Sequence, residues 1–223
     1  MPTTRSYQDL CGIARALDVV GERWALLVVR ELLFGPQRFS EIRRVLANTS
    51  SNVVADRLRE LEANGVVARR RLAAPAASWV YELTPWGREL EPIVLALGLW
   101  GLQSPLPPEP AVVGPTTVLL YLRAWARPDP ASPATVISIE LDAQRWTAHA
   151  HDGRLDIHVG DPTSDPDAVI RTDPRTLREL IGAPRRLRSA LHSGVATVSG
   201  DRPAIGRLLE QVVPVDQRMP ANA

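Results

Sequence analysis

The chain has 223 residues, 45% of them apolar, enough to bury a core in one large domain or two small ones and too many for a disordered or fibrous chain. Its 26 basic residues stand against 25 acidic ones, a net charge of +1, so attraction to nucleic acid or membrane has to come from local patches. The single cysteine, Cys11, excludes an internal disulfide framework and a cysteine-rich zinc site. The first residues lack the apolar segment of a signal peptide, and no apolar run reaches bilayer-spanning length. A cytoplasmic protein without membrane contact is therefore expected.

In chain order, Leu10, Ile13, Ala14, Leu17 and Val20 recur at the spacing of one helical face. Trp24, Leu27, Val28 and residues 31–33 continue a second helix, which Gly35-Pro36 stops. Ser40 stands as N-cap of a short helix through Val45, with Ile42, Val45 and Leu46 apolar. Ser50 caps the next helix, which runs to Asn64 with Val54, Leu58 and Leu61 as its inner stripe and ends at Gly65. Two short helices joined by a tight turn, the second presenting polar residues, predict a helix-turn-helix. Residues 66–72 and 78–83 then alternate in the strand manner around 73–77, predicting a two-stranded hairpin. Its first strand carries Arg69, Arg70 and Arg71, and Trp79, Tyr81 and Leu83 are expected against the core. A helix-turn-helix followed by a basic hairpin is a winged helix. Its second helix suits a major groove about 12 Å wide, and its wing the adjoining backbone or minor groove.

The run 11–24 (CGIARALDVVGERW) resembles the opening of the HxlR family of bacterial winged-helix regulators, as does 32–43 (LLFGPQRFSEIR). Residues 52–62 (NVVADRLRELE), 81–90 (YELTPWGREL) and Trp100-Gly101 continue the pattern in order. Gly12, where such proteins often carry proline, is a departure. The resemblance implies a dimeric regulator that binds double-stranded DNA. Ser50, Ser51, Asn52, Asp56 and Arg59, with Arg57 on the flank, would then face DNA. Asn52 suits adenine, Arg59 guanine or phosphate, and the helix N-terminus a phosphate. Arg38, Ser40 and the wing arginines Arg69, Arg70 and Arg71 would mostly hold backbone. The alternative for all of these is an ordinary solvated surface. In several relatives a cysteine near the start of the first helix senses electrophiles or oxidants, and Cys11 aligns with it. Arg15 and the helix dipole would lower its pKa while Asp18 opposes them; the alternative is a buried apolar filler.

A helix is expected over 86–102, with two apolar stripes: Leu90, Ile93, Val94, Leu97 and Trp100 on one side, Leu95, Leu99 and Leu102 on the other. A surface helix needs only one such face, so Leu95, Leu99 and Leu102 are expected to be covered by another subunit or by the C-terminal domain, the homodimer being preferred. Prolines crowd 104–115, where neither helix nor central strand can pass. The expected organisation is a winged-helix DNA-binding and dimerisation domain over 1–103, a Pro-rich linker over 104–115, a second domain over 116–213 and a polar tail over 214–223.

The second half predicts an α+β domain, an antiparallel sheet with helices on one face. A helix over 116–125 precedes strands at 135–141, 146–151 and 154–159, with Asp152-Gly153 as a two-residue hairpin turn. A strand at 168–172, a helix from Asp173-Pro174, a further helix through Leu187 and Leu191, a strand at 194–200 and a last helix from about 201 complete it. The segments 168–173 (AVIRTD) and 194–201 (GVATVSGD) resemble those of sterol carrier protein type 2-like domains. That likeness implies an apolar small-molecule effector, with Trp146, Leu177, Leu180, Leu187 and Leu191 bordering its space or else filling a solid core. His149, His151 and His158 share one face without a carboxylate at ligand spacing, so neither metal nor cofactor is expected. No nucleophile elbow, phosphate loop or zinc-protease motif points to an enzyme. The functional rival is a lipid or small-molecule carrier that uses the winged helix only to dimerise.

Overall fold

The computed structural model describes residues 6–73, 77–105, 113–142 and 144–212. The chain divides into two compact units between Leu106 and Pro107. The expected hairpin tip at 74–76, the middle of the Pro-rich linker at 106–112 and the polar tail fall outside the described residues. Among those described, no helix is long and apolar enough to cross a membrane.

The first unit runs α1 (Gly12–Val20), α2 (Ala25–Leu32), α3 (Phe39–Val45), α4 (Ser51–Ala63), β1 (Val67–Arg71), β2 (Trp79–Leu83), α5 (Pro85–Arg88) and α6 (Glu91–Gly101). Its core gathers Val28, Val29 and Leu32 of α2, Ile42 of α3, Val54, Leu58 and Leu61 of α4, and Val67 and Leu83 of the hairpin. β1 and β2 pair antiparallel from Val67 opposite Leu83 to Arg71 opposite Trp79. Gln37 exchanges two backbone hydrogen bonds with Tyr81, at 2.9 and 2.8 Å, adding a short third rung to the wing. At the wing's base, the Thr84 hydroxyl donates to the Gly65 carbonyl at 2.7 Å and accepts from the Gly87 N–H at 3.0 Å. Only glycine fits at 87, because a Cβ there would lie 2.1 Å from the Val66 oxygen.

Five expectations are corrected in this unit. Ser40 is not the N-cap of α3: Arg38 is, and its backbone N–H donates to Glu41 Oε2 at 2.6 Å. The helix expected over 86–102 is two helices meeting at Glu89–Leu90. Pro92 accounts for the break, since a continuous helix would drive its ring into the carbonyl of residue 88. In α6, Leu90 and Val94 pack on the core, whereas Ile93, Leu97 and Trp100 of the same predicted stripe are exposed; Leu95 and Leu99 are half-buried and Leu102 exposed. Trp79 does not face the core but is 50% exposed, and Val80 takes the buried place. On α1 only Val20 is buried, and Leu10, Ile13 and Leu17 face solvent.

The second unit runs α7 (Pro115–Trp125), β3 (Thr135–Leu141), β4 (Gln144–His151), β5 (Arg154–Val159), β6 (Ala168–Thr172), α8 (Pro174–Gly182), a 3-10 turn (Pro184–Arg186), α9 (Leu187–His192), β7 (Thr197–Gly200) and α10 (Arg202–Glu210). The sheet order is β5-β4-β3-β6-β7. Asp152 and Gly153, both at positive φ, make the tight β4–β5 turn. The sheet is mixed rather than antiparallel, because β6 inserts beside the open edge of β3 and runs parallel to it, Ile139 opposite Ile170. The strand expected over 194–200 begins only at Thr197, since Gly194 turns at φ +76° after α9. Ile137, Ile139, Trp146, Ala148 and Ile157 form the inner face, packed by Leu119 and Leu122 of α7, Leu177 and Leu180 of α8, and Ile205 and Leu208 of α10. Asp173 caps α8 by accepting from the Thr176 N–H at 2.9 Å, and Asp201 caps α10 by accepting from the Ala204 N–H at 3.3 Å.

Leu58→Ala, which empties the middle of the α4 stripe, is expected to destabilise the first unit by about 2–5 kcal/mol. A denaturant midpoint within error of the parent protein would disprove the packing described.

Candidate nucleic-acid interface

The sequence makes α4 two-sided. Val54, Leu58 and Leu61 lock one side into the core, so Ser51, Asn52, Arg59 and Ala63 are carried on the other and are exposed. The Ser50 hydroxyl accepts from the Val53 N–H at 3.3 Å and so occupies one of the free donors of the first turn. Arg43 of α3 donates from Nε to the Ser51 hydroxyl at 3.1 Å and from Nη1 to the Leu46 carbonyl at 3.4 Å, tying the two helices at their turn. Nothing in the sequence pattern separates Arg43 from the other arginines of this unit except its place at the last turn of α3, eight residues before Ser51.

The expected DNA-facing residues separate into three environments. Asn52 and Ser51 stand open at the α4 N-terminus, and Ser40 is exposed in the first turn of α3. Arg59, exposed, is paired with the half-buried Asp56 one turn back. Arg57 departs from expectation: its side chain is only 15% exposed and its Nη1 lies 2.6 Å from Glu60 and 3.4 Å from Glu22. That ion pairing turns Arg57 along the flank of the helix and away from its outer face.

On the wing, Arg69 lies over the Trp79 ring at 4.5 Å and the Tyr81 ring at 5.9 Å, a cation–π stack that stiffens the side chain. Arg70 pairs with Glu82 at 2.8 Å, and Arg71 Nε donates to the Ala77 carbonyl at 3.3 Å. Arg38 Nε donates to the Ser78 hydroxyl at 3.0 Å, joining the α3 N-terminus to β2. Helix turn and wing thus share one arginine-bearing edge within the first unit. Ser78 and Trp79 were missed as parts of it, because strand alternation does not register that the hairpin end rises clear of the core.

Cys11 is exposed and stands at the N-cap of α1. The backbone N–H groups of Ile13 and then Ala14 hold its thiol below the ordinary value, outweighing slight burial. Those donors at the helix start, rather than Arg15, do the lowering. Asp18, expected to oppose it, accepts instead from the Ser6 hydroxyl and the Tyr7 N–H, both at 2.9 Å.

In the second unit, Trp146, Leu177, Leu180 and Leu187 are buried and Leu191 half-buried. None of the five borders either cavity described here. One, of about 20 Å³, lies beside Pro128, Thr135 and Arg207; the other, an open apolar groove of about 440 Å³ in the first unit, is lined by Val19, Val20, Val66, Trp86, Leu90 and Ile93 among others. The Trp146 Nε1–H is buried without an acceptor among the described residues. His149 and His158 stack at 5.2 Å. Burial first, then the His149 charge, pushes His158 down, whereas Asp156 and Asp152 raise His151, which they contact at 2.9 and 3.3 Å. Among the described residues no cluster of three or more His, Cys, Asp or Glu is arranged to hold a metal ion.

A core-locked second helix, a tied turn and an arginine-edged wing define the class of winged helix-turn-helix DNA-binding proteins. The HxlR-like helix-turn-helix family model matches residues 19–106. The HTH-type transcriptional regulator YvaP of Bacillus subtilis (strain 168) is 40% identical over 89 residues, 40% of this chain and 82% of YvaP. Rv3095 of Mycobacterium tuberculosis (strain ATCC 25618 / H37Rv), an HTH-type transcriptional regulator, is 33% identical over 135 residues, 60% of this chain and 82% of Rv3095. Among solved structures, the redox regulator HypR in its oxidized form is similar at 35% identity, covering 44% of this chain and 100% of that one, with a TM-score of 0.41. The chain belongs to the HxlR-like helix-turn-helix family and is a DNA-binding transcriptional regulator of that type.

Alkylation of Cys11 by iodoacetamide is expected to rise with pH about a midpoint below that of an ordinary thiol, and to keep that midpoint in Arg15→Ala. A midpoint at or above the ordinary thiol value would contradict the helix-start account.

Proposed function

We propose that α4 lies in the major groove of an operator, with Asn52 and Arg59 reading base edges and Ser50 and Ser51 placing the helix start against a phosphate. Arg38, Ser40, Arg69, Arg70 and Arg71 hold the flanking backbone, giving affinity more than sequence choice. Arg57 is withdrawn from the contact set because Glu60 and Glu22 engage it. Asp56 acts indirectly: it holds Arg59 while DNA is absent and yields it to a base or phosphate. The observation that carries this reading is the exposed row Ser51, Asn52, Arg59 on a helix whose other side is fully buried. Arg59→Ala is expected to weaken binding to the DNA upstream of its own coding sequence by about 1–3 kcal/mol, read by mobility shift. Unchanged retention would remove Arg59 from the interface.

A single winged helix buries little surface, so two half-sites and a homodimer are proposed. The exposed apolar residues Ile13 and Leu17 of α1 and Ile93, Leu97 and Trp100 of α6, followed by Leu102, support this, more than the half-buried Leu95 and Leu99. Ile93→Asp with Leu97→Asp is expected to convert a sedimenting dimer to a monomer. A dimer that persists would locate the contact elsewhere.

The second unit, of sterol carrier protein type 2-like strand and helix order, is read as the regulatory domain over 116–213, joined by the Pro-rich segment 104–115. Its effector is an apolar molecule carrying a hydrogen-bond acceptor. The support is the buried Trp146 Nε1–H, an unsatisfied donor costing about 1–3 kcal/mol that such an acceptor relieves. Because Trp146, Leu177 and Leu180 fill the core, entry requires α8 to shift. Coupling of about 1–3 kcal/mol between effector and operator would change affinity roughly 5–150-fold.

A further inference from the structure

Acidic side chains slightly outnumber arginines in the second unit, yet its arginines are not evenly spread. From Pro174 to His192 the sequence holds five arginines and a histidine against one carboxylate, Glu179. This segment is α8, the 3-10 turn and α9, consecutive pieces that pack on one another. Leu177, Leu180, Ile181, Leu187 and Ala190 face the core, which leaves Arg178, Arg185, Arg186 and Arg188 exposed on the outer surface. The side chains of these four make no hydrogen bond or ion pair among the described residues. Elsewhere in the unit Arg145 reaches Glu140 and Asp161, Arg171 reaches Glu140, and Arg207 reaches Asp201, while Arg154 and Arg202 are exposed and unpaired among the described residues but stand singly rather than in a cluster.

We propose that Arg178, Arg185, Arg186 and Arg188 form a second DNA contact, a sequence-independent seat for backbone phosphates on the C-terminal unit. The inference rests on the chain being a DNA-binding regulator and extends the contact beyond the winged helix. Unpaired guanidinium forks match phosphate oxygens in charge and in bidentate geometry. An anionic membrane fits less well: Leu177, Leu180, Ile181 and Leu187 are buried in the core and Leu191 is half-buried, so α8 and α9 present no apolar face to enter a bilayer. An acidic protein partner fits less well too, because the patch offers no aromatic anchor of the kind that concentrates interface energy. Because phosphate contacts are indifferent to sequence, the patch adds affinity and footprint on any duplex and leaves operator choice to α4.

The test measures binding of the full-length protein to a fluorescein-labelled random-sequence duplex several helical turns long, across a salt series. Arg185→Gln, Arg186→Gln and Arg188→Gln are combined, and a Lys version of the same triple tests whether charge alone suffices. The slope of log affinity against log salt is expected to fall by roughly 0.9 for each guanidinium that faced a phosphate, so by two or more for the Gln triple. The Lys triple should keep most of the slope, and Arg154→Gln, on the outer sheet face, should not change it. An unchanged slope in the Gln triple, with or without gained or lost binding to phosphatidylserine vesicles, overturns the proposal. So does equal loss in the Lys triple, which would mark the arginines as structural. If the parent protein itself fails to bind at low salt, the winged-helix reading falls as well. If the parent binds and Arg59→Ala weakens it while the Gln triple does not, only the second contact is lost.

Discussion

The burial of Val54, Leu58 and Leu61 against α2, α3 and the root of the hairpin is the constraint on which the proposed DNA-facing surface depends. A helix is free to rotate about its axis until one side is committed. Once three residues in one stripe are removed from water, every other side chain has a fixed direction. Ser51, Asn52 and Arg59 become an outer row for that reason alone, before any particular interaction of their own. The ties at the ends, Ser50 to Val53 and Arg43 to Ser51, set where the row begins relative to α3.

Charge is managed differently on the two sides of this surface. Arg57 and Arg59 are two residues apart, and their fates diverge because one has carboxylates on its flank and the other on its outer turn. The Arg57 contacts fasten α4 to the segment ahead of α2. The Arg59 pair is solvent-exposed, so it contributes little to stability and costs little to break. On the wing, aromatic rings and Glu82 hold Arg69 and Arg70 in place, which lowers the entropy either would lose on binding a partner.

The second unit meets a different requirement. Its sheet buries one face under α7, α8 and α10 and carries on the other a network of Arg145, Glu140, Arg171 and Asp161. That network uses most of the charge on the outer sheet face. On the helical edge from α8 to α9, Arg178, Arg185, Arg186 and Arg188 have no such partners among the described residues, and their charge faces outward. The proposed effector site around Trp146 and the proposed phosphate seat on the arginine edge thus occupy different parts of this unit, one inside it and one on its surface.

Much was legible from local pattern. The Ser50 cap, the stripe Val54-Leu58-Leu61, the Asp152-Gly153 turn and the Asp173 cap each depend on interactions between residues close in sequence, and periodicity or turn chemistry reports these directly. The family motifs of the first unit were legible too, because they are contiguous. Tertiary structure decided the rest. Whether Trp79 or Val80 is buried depends on how far the hairpin extends beyond the core, and which α6 stripe faces inward depends on the break that Pro92 imposes. The parallel β3–β6 pairing joins strands more than twenty residues apart, and the turning of Arg57 toward Glu22 spans α2, α3 and the turns between them. Such outcomes are settled by the packing of distant segments, for which sequence spacing has no measure.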